Sequence, residues 1–359
     1  MAVAPPHGTA FEAAIQVKPI NSHQYSAHLR QDWCIGAATP LFSLSSHNSY
    51  HTLTRNHKTV PHGGYTSAIL YRLALTHFAH THPLQYRGPA TPIAMQLTFL
   101  RRTAVGPALL NVQDVKIGSR TSTIHVTLTQ PRNSGRGAGS EEAAPEEQEL
   151  KIAGYITVSP AHAEVGLTAP TGWMPLPMPA RGSRPDGGVD LVALGGSGRD
   201  GEWERIKLPF PEFRRATQHV DLYGPRQPKT MAAVDQWARF RPEGDQTARW
   251  SNEALVYLTD TFPLALSGLD QRAATAAGDG EAGGRHWYPT VALNIDFKKR
   301  LPATGEAWLY SRVQTVSVRD GRTDLGVTVM DAAGQVVAVA TQVGLVVSAS
   351  RNLGRQPKL

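Results

Sequence analysis

PTVALNIDFKKRL, residues 289–301, is the stretch on which the reading of the fold turns. Val291, Leu293, Ile295 and Phe297 alternate with Ala292, Asn294, Asp296 and Lys298, and a period of two is the signature of a half-buried β-strand. One face of this strand is apolar. The other carries a carboxylate in mid-strand, Asp296, where an acidic side chain is disfavoured by propensity and calls for a reason.

A second strand with the same alternation lies upstream. In PIAMQLTFLRR, residues 92–102, the apolar set is Ile93, Met95, Leu97 and Phe99. Laid over the first strand, Leu97 falls on Ile295, Thr98 on Asp296 and Phe99 on Phe297, and the match continues to Gly106 on Gly305 and to Ser119-Arg120-Thr121 on Gly321-Arg322-Thr323. The chain therefore reads as two copies of one unit. They differ at one telling place: the first copy has Thr98 where the second has Asp296, so a site using that carboxylate exists once per chain.

Around the first repeat strand, VPHGGYTSAILYRLALTHF opens with Gly63-Gly64 and predicts a buried helix over Thr66–Phe78, followed by strands at Pro92–Arg102, Ala108–Ile117, Ser122–Thr129 and Leu150–Val158. In the second copy a helix over Ser251–Leu266, capped by Ser251 or Asn252, precedes strands at Thr290–Arg300, Ala307–Val318, Asp324–Asp331 and Gln335–Val347. A leading strand is expected at Tyr25–Gly36 and again at Ala233–Arg241, pairing Trp33 with Trp237. Each unit is then strand, helix and four strands, and the single apolar helix is the element available to cover the apolar face of its sheet. The expected fold is α+β, an antiparallel sheet wrapped around a central helix, twice in tandem. The expected boundaries are a tail at 1–24, the first unit at 25–158, a Pro-rich linker at 159–230 whose aromatics Trp173, Trp203, Phe210 and Phe213 pin it to the body, the second unit at 231–348 and a tail at 349–359. Residues 37–60 read as an inserted surface loop or lid.

At 359 residues, 41% hydrophobic and 18% charged, the composition is that of a globular protein with room for two domains. No run is long and apolar enough to span a membrane, and the N-terminal residues lack the basic start and apolar core of a signal peptide, so a cytoplasmic location is expected. The terminal Pro357-Lys358-Leu359 misses the first position of a peroxisomal tail, and a frayed basic end is the simpler reading. The net charge of +7 is dispersed rather than massed and no nucleic-acid module is present, which points to a phosphate-bearing small molecule instead of nucleic acid. A single cysteine, Cys34, excludes an internal disulfide.

At this point the residues resemble the double-hotdog acyl-CoA thioesterases of the thioesterase II type. His62-Gly63-Gly64 opening a helix, Trp308-Leu309-Tyr310-Ser311 and Ala340-Thr341-Gln342-Val343-Gly344 carry the resemblance. It implies a double hotdog fold, hydrolysis of acyl-CoA or another acyl thioester, a role in lipid metabolism and no cofactor. In the family an Asp, a Thr and a Gln hold and activate the hydrolytic water. Matched by position, these are Asp296, Thr315 (or Ser317 after a two-residue slip) and Gln342. The backbone N–H groups at Gly63 and Gly64, with His62 beside them, are the expected oxyanion and substrate contacts.

The chemistry agrees with those residue types. A thioester carbonyl is electrophilic enough for direct attack by a positioned water, which needs a base and donors for the developing oxyanion. The bland alternative for Asp296 is a strand carboxylate paired with a neighbouring Lys or Arg, and Thr315 and Gln342 are ordinary strand residues unless Asp296 is catalytic. Lys298, Lys299 and Arg300 are candidates for the CoA phosphates, an exposed basic strand end being the alternative. His77, His80 and His82 are irregularly spaced at a helix C-terminus, where imidazole suits the dipole, so no metal site is expected. No Gly-x-Ser-x-Gly elbow is present. Two rival readings stand beside hydrolysis: a hotdog dehydratase or hydratase, and a non-catalytic acyl-binding or pathway accessory protein. A homo-oligomer is left open.

Overall fold

A computed structural model describes residues 10–36, 59–84, 88, 90–132, 147–169, 171–176, 188–208, 211–212, 214–227, 233–262, 265–266 and 286–348. The first unit contains β1 (Gln24–Leu29), α1 (Gly63–Thr81), β2 (Ala90–Phe99), β3 (Gly106–Lys116), β4 (Ser122–Pro131) and β5 (Gln148–Pro160). The second contains β6 (Val220–Pro225), β7 (Ala233–Phe240), α2 (Asn252–Thr259), β8 (Thr290–Phe297), β9 (Leu309–Gln314), β10 (Arg322–Asp331) and β11 (Val336–Leu345).

Among the described residues one antiparallel sheet runs through both units in the order β1-β3-β4-β5-β2-β8-β11-β10-β9-β7-β6. Reading outward from the middle, the two halves have the same strand order, so the repeat read in the sequence is realised in space. The seam is the pairing of β2 with β8. Leu97 lies opposite Leu293 and Met95 opposite Ile295, on either side of Gln96 opposite Asn294. These four apolar side chains are buried, each contributing about 1.5–3 kcal/mol, so the seam is continuous core.

Helix α1 is buried over most of its surface, from Tyr65 through Ala74 to Phe78, as expected of a helix enclosed by its own sheet. Its start is set by His62, whose side chain accepts from the Gly64 N–H. Helix α2 starts at Ser251, whose hydroxyl accepts from the Ala254 N–H at 3.2 Å. It ends at Thr259, short of the expected Leu266. Pro263 bars the longer course, because it has no N–H for the Thr259 carbonyl four residues back and its ring would clash there.

Three expectations change. Residues 10–24 are no tail: Ala10–Ala14 is helical, and Phe11 is buried against Trp33 (ring centroids 5.0 Å apart) and Phe240 (5.1 Å). The segment 159–230 is not a draped linker either. Its described part contains the helix Leu191–Ser197, and β6 with the short strands Trp203–Arg205 and Arg199–Asp200 extends the second sheet. Trp203 is buried in a satellite core with Trp237 and Tyr310, whereas Trp173 is exposed and Phe210 and Phe213 lie outside the described residues. Third, Trp33 and Trp237 are not equivalent, since Trp237 lies within β7 and Trp33 in a single helical turn after β1, stacked on His219 at 3.7 Å. The insertion read at 37–60 falls almost wholly outside the described residues.

Candidate active site

The two helices meet at their ends, and glycine makes the junction possible. A Cβ on Gly63 would stand 2.6 Å from Asp260 Oδ2, and one on Gly64 2.7 Å from the Tyr257 carbonyl oxygen. With hydrogens there instead, the N-terminus of α1 closes onto the C-terminus of α2.

Asp260 is the residue that caps this junction. It follows the last residue of α2 and is only 4% exposed. Its Oδ2 accepts from the Gly64 N–H at 2.7 Å, and its Oδ1 accepts from the Thr290 hydroxyl at 3.0 Å. Gln342, buried on β11, donates from Nε2 to the Thr259 carbonyl at 2.8 Å and also reaches the Asp260 carboxylate. The His62 Nδ1 stands 3.6 Å from Oδ2.

Burial pushes the Asp260 carboxyl above the usual carboxylate range, and His62, Thr290, Gly64 and Gln342 offset that only in part. His62 moves the other way, its basicity lowered by burial against the opposing pull of Asp260. Its Nδ1 accepts the Gly64 N–H at 3.1 Å, so we assign a neutral imidazole and read the contact with Asp260 as packing rather than an ion pair. The positive end of α1 favours a negative charge at this point. The C-terminus of α2 does not. A desolvated carboxylate between a supporting helix end and an opposing one has the raised proton affinity of a general base.

A cavity of about 360 Å³ opens beside Asp260, lined from both units. One wall is apolar, with Phe99, Phe262, Val291 and Leu345. Arg101, Arg102 and Arg214 stand at the same cavity, and the Arg102 guanidinium lies 4.3 Å over the Trp287 ring. Cys34 takes no part in chemistry of this kind: it is fully buried, and burial pushes its thiol up to about 12.

Of the residues expected from sequence, the structure brings together Gln342, Gly63, Gly64 and His62. It does not bring Asp296 or Thr315 to them. Gln342 lies opposite Leu293, on the core face of the sheet, while Asp296 lies opposite Val339, one step out of phase and so on the other face. Its side chain is 61% exposed and 3.5 Å from Lys298 Nζ, the alternative weighed for it. Thr315 follows the last residue of β9, with all of β10 between that strand and β11. Ser317, the slipped alternative, is exposed.

The basic trio is also elsewhere. Lys299 binds Asp331 at 2.6 Å, and Arg300 reaches across to the first unit, donating to Thr91 Oγ1 at 2.6 Å and the Ser159 carbonyl at 2.8 Å.

Sequence reasoning missed Asp260 and Thr290. A signal for Asp260 was present. An acidic residue at the C-terminal end of a largely apolar helix opposes the macrodipole, and VYLTDTFP places one there. Thr290 had none, being one more β-branched residue at a strand start.

One sheet running through two tandem halves, each wrapped around one helix, with a desolvated carboxylate where the helices meet, defines a double-hotdog protein. Solved structures agree on the fold. A putative thioesterase II from Thermobifida fusca superposes with TM-score 0.60 at 19% identity, over 94% of this chain and 97% of that one. A hot dog protein of unknown function from Alicyclobacillus acidocaldarius does so with TM-score 0.60 at 16% identity, over 95% and 98%. The thioesterase-like protein TwmA of Talaromyces wortmannii is 29% identical over 367 residues, 96% of this chain and 94% of that one. The chain belongs to the double-hotdog acyl-CoA thioesterase family: residues 53–142 match the acyl-CoA thioesterase N-terminal domain and residues 185–346 the C-terminal domain. The second match starts well inside the segment read as a linker, as the strands there require.

Proposed function

We propose that the chain hydrolyses an acyl thioester of the acyl-CoA kind, with Asp260 as the general base. The observation that carries this reading is the buried Asp260 carboxylate, raised in proton affinity, hydrogen-bonded by Thr290 and Gly64 and open to a cavity with an apolar wall and an arginine-bearing rim.

The acyl chain lies along Phe99, Phe262 and Val291, and the phosphate-bearing part of the thiol faces Arg101, Arg102 and Arg214. Water held by Asp260, Thr290 and Gln342 attacks the carbonyl carbon as Asp260 takes its proton. The carbonyl π electrons move to oxygen, and the oxyanion meets the first N–H of α1, at Gly63, a position with no intrahelical acceptor. Collapse breaks the C–S bond, and the departing sulfur takes the proton from Asp260. The products are a carboxylic acid and a thiol. No covalent enzyme intermediate is formed. Tyr288, also at the cavity, has a buried hydroxyl without a hydrogen-bond partner among the described residues, and in this reading it donates to the substrate.

The test is thiol release from a panel of acyl-CoA esters by wild type, Asp260→Asn and Asp296→Asn. Wild type is expected to turn over at least one ester. Asp260→Asn is expected to lose about 10²- to 10⁴-fold, the usual size of a general-base contribution, with Asp296→Asn close to wild type. Equal activity in wild type and Asp260→Asn overturns the assignment. Binding of the esters without turnover by wild type moves the accessory-protein reading to the front.

A further inference from the structure

Near the far end of α1 from the cavity a second cluster of side chains converges. The Nε2 atom of His77 is 2.8 Å from Asp114 Oδ1, and the Nε2 atom of His82 is 2.9 Å from Asp114 Oδ2. The same Oδ2 has the Nε2 atom of His23 at 3.5 Å. His77 and His82 come from the end of α1, Asp114 from β3 and His23 from the turn before β1. From Gly63 to His77 the helix rises about 20 Å, so this cluster shares nothing with the Asp260 site.

We propose that His77, His82 and Asp114 form a site for a divalent cation of the zinc class, with His23 at its edge. Two imidazole nitrogens and a carboxylate oxygen, all within 4.8 Å of one another, make a ligand set that suits zinc, and metal–ligand bonds of about 2.0–2.2 Å give tetrahedral edges of about 3.3–3.5 Å. The two histidine–carboxylate contacts, at 2.8 and 2.9 Å, are shorter than that. Insertion of the ion opens the two short contacts by about 0.5 Å.

The second observation is on the far side of the rings. The Tyr25 hydroxyl is 2.9 Å from His77 Nδ1 and the Ser22 hydroxyl 2.8 Å from His23 Nδ1, the places where a metal-bound imidazole needs a partner. With an ion on Nε2, the His77 proton sits on Nδ1 and is donated to the Tyr25 hydroxyl, whose own proton goes to the Ser22 carbonyl at 2.9 Å, where the Thr81 hydroxyl also donates at 2.8 Å.

An ion held by these three ligands clamps the end of α1 onto β3.

The test titrates the untagged, chelator-treated full chain with Co²⁺, then Zn²⁺. Expected are one equivalent of Co²⁺ with the intense visible bands of a four-coordinate centre, their loss on adding Zn²⁺, and a Tm raised by Zn²⁺ and lowered again by chelator. His82→Gln and Asp114→Asn each lose that equivalent, and Tyr25→Phe keeps it with about 10- to 100-fold weaker affinity. No saturable binding by wild type overturns the proposal, as does undiminished binding by both folded variants, which would place the metal among other residues of the chain. If His82→Gln does not fold, Asp114→Asn decides alone.

Discussion

At the scale of single residues, the chemistry proposed for this chain rests on one carboxylate held out of water. Because burial raises the proton affinity of Asp260 in the folded chain, the native state retains that proton at pH values where the unfolded chain has lost it. Stability therefore falls as pH rises from the ordinary carboxylate range through the raised value. Denaturant unfolding of wild type and Asp260→Asn across that window is expected to show the variant gaining on wild type as pH rises, ending more stable near neutrality by about 0.5–2 kcal/mol. The same proton sets the rate. The acidic limb of kcat/KM for the best thioester should lie above the usual aspartate range of about 3.8, and a limb at or below it would show a solvated carboxylate doing the work. For Tyr288→Phe the expected loss in kcat/KM is about fivefold, the size of one neutral hydrogen bond, with the fold unchanged by circular dichroism.

At the scale of elements, the site exists because two helix ends can touch. Gly64 is the tightest point against backbone, with the Tyr257 carbonyl oxygen 2.7 Å and Asp260 Cβ 3.0 Å from where a methyl group would go. The first obstacle is backbone and cannot rotate away. Gly64→Ala is expected to push α1 from α2 and cost about 1–3 kcal/mol, as overpacking does, read as a lower denaturant midpoint at unchanged slope. Gly63→Ala meets the Asp260 side chain instead, so its loss is expected in turnover more than in stability. The helix periods and their starting glycines were legible in the sequence, since buried runs and Gly-Gly punctuation are local signals. The end of α2 was read too far along, and the carboxylate at that end was passed over as part of a helix.

At the scale of the whole molecule, the two hotdogs are joined by more than the β2–β8 seam. Arg300, next to the second unit's repeat strand, is bound by Thr91, Ser159 and Glu164, the last at 2.8 Å. Arg300→Ala removes charge-assisted hydrogen bonds across that junction and is expected to cost about 1.5–3 kcal/mol, with thermal unfolding by calorimetry remaining a single transition because the sheet is continuous. Two separate transitions in the variant would show that Arg300, and not the seam, holds the units together. Among the described residues no helix is long and apolar enough to cross a membrane.

What the sequence determined by itself was periodic. Alternation in PTVALNIDFKKRL and in PIAMQLTFLRR, the buried helix after Gly63-Gly64 and the duplication all follow from side-chain patterning, which is local and survives without knowledge of contacts. The helix-opening glycines belong to that same reading, whereas Gln342 came from the family resemblance and not from patterning. The tertiary structure alone decided which carboxylate is desolvated. Asp296 and Asp260 are both acids near apolar residues in the sequence, but strand phase turns the first toward water and a helix end drives the second into the core. It alone decided the histidine cluster as well, since His23 and Asp114 are distant along the chain from His77 and His82 and meet them only when β1 and β3 pair beside the end of α1. Burial and convergence depend on distant segments arriving at one place, and no window of residues records that.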